Sequence, residues 1–222
     1  MNKRPPFFLR WYGILTALVG IFILALLVVA TPLSTVMRSP WRTFYIPSEA
    51  MKPGLLKNDR LLALMRAPPE TRRGMVVLID MGGPIYIKRV AALAGDRVEM
   101  IDGELFLNGH PVPRRLVGED RYDDPMTQTS TARRFVERIP GESGTHEIYD
   151  TGRTQGDDYP SVVVPAGHVF VLGDNRDHSA DSRFSREEMG VGMLPVSDIV
   201  GVPLFIYYRS GEGVVNIPIN RD

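Results

Sequence analysis

The sequence predicts a mainly β protein, an antiparallel β-sheet domain behind one apolar N-terminal helix. Three observations predict it. Residues 11–37 hold no charged side chain. From Arg42 onward, short runs alternate apolar and polar residues, the period of a strand whose successive side chains face opposite ways. Beyond the N-terminal run, no stretch keeps a helical period, and antiparallel sheets follow.

Trp11 to Thr31 is a solid apolar run of 21 residues. At a helical rise of ~1.5 Å per residue it reaches ~31 Å, enough to cross a bilayer core. Pro32 disfavours a straight continuation, and Trp11 and Tyr12 sit where an interfacial aromatic anchor belongs. The run exceeds the apolar core of a cleaved secretory signal, although Val28-Val29-Ala30 is a weak cleavage site. An uncleaved single-pass anchor is therefore expected over 11–31. Lys3, Arg4 and Arg10 favour a cytoplasmic N-terminus at 1–10, with residues 40–222 forming an extracytoplasmic domain.

Expected strands are Thr43–Ile46, Arg60–Met65, Met75–Ile79, Ile85–Ala91, Arg97–Ile101, Glu104–Leu107, Ser161–Val164, His168–Leu172 and Ile199–Tyr208. Asp102-Gly103 marks a hairpin turn. Residues 111–160 form a polar excursion with weak strands at Arg134–Arg138 and His146–Tyr149. Gly118–Thr131 reads equally well as a disordered loop.

Composition excludes several classes. Basic and acidic residues balance at 26 each, and all four charges in residues 1–40 are basic. The remaining domain therefore carries a net charge of about −4, which argues against a nucleic-acid binder. No cysteine is present, so disulfides and thiol nucleophiles are excluded. His110, His146, His168 and His178 lack metal-ligand spacing and read as surface or loop histidines.

Two stretches can carry chemistry. In a strand, Tyr86, Lys88 and Val90 share one face, with Ile85, Ile87 and Arg89 opposite. A lysine buried among apolar neighbours loses its proton more easily and can serve as a base for a serine hydroxyl. From this stretch alone, the plainer reading is a strand lysine with a solvated head. The second stretch is Gly173–Arg183, where an apolar strand runs into closely spaced Asp, Asn, Arg and Ser residues. Such a loop can knit itself with charge-assisted hydrogen bonds. Ser179 could orient a lysine amine, and Asp181 with Arg183 could shape the loop. The alternation of Asp177, Ser179 and Asp181 is only a weak calcium-loop pattern.

Taken in order, these segments resemble bacterial signal peptidase I, a membrane-anchored serine endopeptidase that removes signal peptides from exported proteins. Gly173–Arg183 matches the family box Gly-Asp-Asn-Arg-Asp-Asn-Ser-x-Asp-Ser-Arg, with His178 replacing an asparagine. Tyr86-Ile87-Lys88-Arg89 is similar to the lysine box, although Ala92 and Ala94 depart from its glycine and proline pattern. Arg73–Val77 is similar to the short box before it, with Met75 where aspartate is common. The resemblance implies a Ser/Lys dyad with Lys88 as general base, no metal or cofactor, and a site at the membrane surface. Its implied partners are the lipid bilayer and preprotein signal peptides carrying small residues just before the cut. Met51 and Asp174 count among the supporting residues.

One departure is central. The family's first box is Pro-Ser-x-Ser-Met-x-Pro, whose second serine is the nucleophile. Here the sequence is Pro47-Ser48-Glu49-Ala50-Met51-Lys52-Pro53. Ala50 has no attacking atom. Ser48 matches the family's first serine, an oxyanion donor. Three readings stand open: an engineered knock-out at position 50, Ser48 as a displaced nucleophile, or a pseudo-peptidase that binds signal peptides without cutting them.

Overall fold

The computed structural model describes residues 12–26, 39–122 and 131–220. Residues 12–26 form the helix α1. At ~1.5 Å per residue it rises ~22 Å, short of a bilayer's ~30 Å core. Among the described residues, no helix is long and apolar enough to cross a membrane. Residues 11 and 27–31 of the expected span lie outside the described residues.

Residues Trp41–Asp222 form a separate compact unit. Its strands are β1 (Trp41–Tyr45), β2 (Arg60–Leu64), β3 (Val76–Ile79), β4 (Tyr86–Leu93), β5 (Arg97–Ile101), β6 (Glu104–Leu107), β7 (His110–Pro111) and β8 (Arg114–Arg121). Then follow β9 (Thr131–Glu137), β10 (His146–Asp150), β11 (Tyr159–Val163), β12 (His168–Leu172), β13 (Leu194–Pro195), β14 (Ile199–Arg209) and β15 (Gly213–Pro218). The expected antiparallel architecture is the one observed. The main sheet runs β1-β2-β14-β3-β4-β12-β13, with β15 on β14. A second sheet runs β11-β5-β6-β7, and a third β10-β9-β8.

Burial explains the central strands. All four residues of β3 are buried between β14 and β4, as its Val-Val-Leu-Ile sequence requires. The two faces of β4 serve different cores. Val90 and Tyr86 pack with Val77, Val169 and Ile199, whereas Ile85 and Ile87 pack with Ile46, Met51 and Leu61. Asp102 and Gly103 both have positive φ (49° and 76°), as a two-residue hairpin between β5 and β6 demands.

The excursion is more ordered than its composition suggests. β8, β9 and β10 form a sheet, and Gly118–Arg121, expected in a possible loop, belongs to β8. Residues 123–130 lie outside the described residues. β8 escapes a period-two reading because neither of its faces is fully buried. It is held by cross-strand pairing and by Arg114 stacking 4.7 Å from the Phe135 ring centroid.

Candidate active site

Strand register places the two chemical stretches side by side. Leu172, the last residue of β12, pairs with Arg89 of β4. The chain leaving β12 therefore turns over Lys88 and Arg89. Lys88 is only 3 % exposed, and its Nζ donates a 2.7 Å hydrogen bond to Ser179 Oγ. The solvated-lysine reading is thereby excluded. Burial lowers the amine from its ordinary 10.5 to about 8; Asp181 opposes that fall, Arg183 adds to it, and Asp174 opposes it. A minor neutral fraction is thus available at pH 7, and it grows to a majority above about pH 8.

The 173–183 loop is a closed hydrogen-bonded unit. Arg183 Nε and Nη2 both donate to Asp181, each at 2.9 Å. Asp181 also accepts the Gly173 N–H at 3.0 Å. Burial pushes the Asp181 carboxyl up, but Arg183 outweighs it and leaves the pKa below the ordinary value. Ser182 Oγ accepts the Val171 N–H at 2.9 Å, tying the loop back to β12. Asp177 accepts from Thr151 and Thr154 instead of facing Asp181 across a cation site.

The turn at Ile46–Pro53 is anchored on both sides. Ile46, Met51 and Leu55 are buried in the core cluster under β2 and β3. On the loop side, the Asn175 N–H donates to the Ala50 carbonyl at 3.1 Å, and Asn175 Nδ2 donates to the Glu49 carbonyl at 3.2 Å. Tyr122 completes the latch: its hydroxyl donates to Glu49 Oε2 at 2.9 Å and accepts from Asn175 Nδ2 at 2.9 Å.

Gly173 shows how tightly these parts meet. A Cβ there would lie 2.2 Å from Ser179 Oγ and 2.5 Å from the Ala50 carbonyl oxygen. Ala50, Ser179 and Lys88 therefore belong to one cluster. Ser48 is exposed, and the lysine amine bonds Ser179.

Beside the lysine lies a buried charge cluster that the sequence did not disclose. Arg89 makes a bidentate pair with Asp174 at 2.8 and 2.6 Å and donates to the Gly74 carbonyl at 2.7 Å. Arg176 pairs with Glu137 of β9, which is fully buried. Burial raises the Glu137 pKa, but Arg176 and His146 bring it down to about 2. His146 is itself buried at 8 % exposure, which corrects its reading as a surface or loop histidine. Position 146 alternates correctly for an inward face of β10, the one sequence signal that could have found it. His178 is half-buried against the Tyr122 ring, at 5.3 Å between centroids.

Comparison with known proteins identifies the family. The family described as "Signal peptidase, peptidase S26" matches residues 15–208. A signal peptidase I of Pseudomonas fluorescens is 34 % identical over 181 residues, covering 71 % of this chain and 61 % of that protein. Signal peptidase I U of Bacillus subtilis is 28 % identical over 196 residues, covering 86 % of this chain and 89 % of the relative. A crystal structure of a signal peptidase I from Enterococcus faecalis aligns with 24 % identity and a TM-score of 0.34, over 60 % of this chain and 96 % of its own. The chain belongs to the signal peptidase family, peptidase S26.

Proposed function

We propose that the chain carries a signal peptidase I site in which Lys88 is the general base and position 50 is the nucleophile position. With Ala50 it binds signal peptides and cleaves them at a small fraction of the rate that a serine there would give. The carrying observation is the buried Lys88 amine bonded to Ser179 beside the Ala50 carbonyl. In this reading Trp11–Thr31 anchors the protein in the cytoplasmic membrane, with the N-terminus inside and the β domain outside. The bilayer and the signal peptides of exported preproteins are its partners.

The chemistry requires a hydroxyl at position 50. A serine Oγ there gives its proton to neutral Lys88 and attacks the carbonyl carbon of the residue before the cut. The backbone N–H of residue 50 and the Ser48 hydroxyl stabilise the oxyanion. Collapse breaks the peptide bond, and the Lys88 ammonium returns its proton to the leaving amine. Lys88 then takes a proton from a water that attacks the acyl carbon; the ester C–O bond breaks, the ammonium returns that proton to the serine Oγ, and the acyl group leaves as a carboxylic acid. Ser179 orients the amine, and the Asp181–Arg183 pair keeps the loop in place. No step needs a metal or cofactor.

Cleavage of a preprotein in detergent or vesicles tests this. Ala50→Ser should raise the rate on the order of 10³-fold or more, and Lys88→Ala should abolish the gain. No gain from Ala50→Ser removes the nucleophile assignment. Cleavage by the unaltered chain that Ser48→Ala abolishes would instead make Ser48 the nucleophile.

A further inference from the structure

His146 stands between two carboxylates. Its Nδ1 is 3.0 Å from both Glu142 oxygens, and its Nε2 is 3.3 Å from Glu137 Oε1. The second contact is an ion-pair distance without hydrogen-bond alignment. A neutral imidazole has one N–H, so one ring lone pair would face a carboxylate. Only the doubly protonated ring suits both neighbours.

The charges around the ring support the same state. Glu137 on β9 and Glu142 in the turn before β10 contact it, Arg89 on β4 and Asp174 in the loop after β12 act on it by charge, and Arg176 of that loop pairs with Glu137. Three carboxylates oppose two guanidinium groups. An imidazolium completes the neutralisation, and a neutral ring leaves a buried negative charge uncompensated. A cleft of about 670 Å³, lined by Arg89, Glu142, His146 and Asp174 among others, gives protons a route to the cluster.

We propose that His146 is a positioning residue, held as an imidazolium, that clamps the β8–β10 sheet to the Lys88 strand and the 173–183 loop. One arm of the clamp runs through Glu142, 3.9 Å from Arg89 Nη1, to the Arg89–Asp174 pair. The other runs through Glu137 to Arg176. Both arms end in the loop that holds Ser179 on Lys88. Burial and Arg89 push the His146 pKa down, but Glu137, Glu142 and Asp174 outweigh them and raise it above the ordinary 6.5. Stability from the clamp is therefore full below pH 6.5 and is lost as pH rises through the raised value.

The test needs no cleavage activity, so its failure is separable from failure of the peptidase reading. Nitrogen-15 NMR of the full chain should show both His146 ring nitrogens protonated at pH 6.5, with a midpoint above that of a free histidine. A singly protonated ring at pH 6.5 overturns the proposal, whether or not any variant folds. Urea midpoints of the full chain should fall through the same pH range, and His146→Gln should lack that fall. The chain has only four lysines, Lys3, Lys52, Lys57 and Lys88, so carbon-13 lysine labelling reports on the site directly. In His146→Gln the Lys88 midpoint should rise from about 8 toward 10.5 as the loop loosens and water enters. An unchanged Lys88 midpoint in a folded variant reduces His146 to a local structural role and sinks the positioning claim.

Discussion

At pH 7 the buried Lys88 amine is largely protonated, and holding that charge away from water opposes folding. Its folded pKa lies below its unfolded value, so the penalty is full below about pH 8 and is relieved as pH rises toward 10.5. Lys88→Met should therefore raise the urea midpoint at pH 7, by on the order of 1–3 kcal/mol in unfolding free energy, and abolish any proteolysis gained through Ala50→Ser. The same ionisation sets the rate profile. In Ala50→Ser, kcat/KM should climb as pH rises through about 8, because only the neutral amine accepts the serine proton. A flat profile between pH 6 and 9 excludes Lys88 as the base. At this scale the sequence disclosed one half of the site. Lys88, Ser179, Asp181 and Arg183 were legible because motif spacing carries them. The roles of Glu137, His146 and Arg89 were not, because no motif spacing links them to the partners that bury them. Arg89 meets Asp174 across 85 positions and Arg176 meets Glu137 across 39.

The 173–183 loop and the 46–53 turn act as one mechanical element, interlocked at Gly173 and latched by Tyr122. Gly173→Ala drives a methyl into Ser179 and the Ala50 carbonyl, with backbone on one side. It should destabilise the protein by about 2 kcal/mol or more and lower signal-peptide affinity, read by denaturation and by peptide titration. Tyr122→Phe is milder. It removes the hydroxyl between Glu49 and Asn175, and should cost about 1 kcal/mol and speed hydrogen exchange at the Asn175 amide. Unchanged exchange there would mean that the latch does not hold the turn. The strands that frame this element, β3, β4 and β12, were legible in the sequence because burial writes apolar runs into them. β8 was not, since its pairing rests on charged side chains and backbone bonds that leave no apolar period.

The antiparallel class was legible at the level of the whole molecule, and the strand order was not. β14 lies between β2 and β3, so the main sheet closes only when the chain's late segment returns to its beginning. Period and composition report local segments and carry no address for such distant pairing. The compact unit from Trp41 onward has its own cores and its own sheet edges. Removing residues 1–40 should leave its urea midpoint within about 0.5 kcal/mol of the full chain, while co-sedimentation with lipid vesicles falls. Collapse of the midpoint on truncation would show that the unit depends on its N-terminal segment.

Asn175 grips the Ala50 carbonyl, not its side chain, and Glu49 is likewise held through its carbonyl. The turn's path is therefore indifferent to whether a methyl or a hydroxymethyl projects from position 50. If position 50 is the nucleophile position, as proposed, a lineage can discard its cutting group here without losing the scaffold, and a single Ala-to-Ser replacement should bring it back. On the proposed reading the site is then a dormant one, with its geometry maintained by main-chain bonds that selection on catalysis need not police.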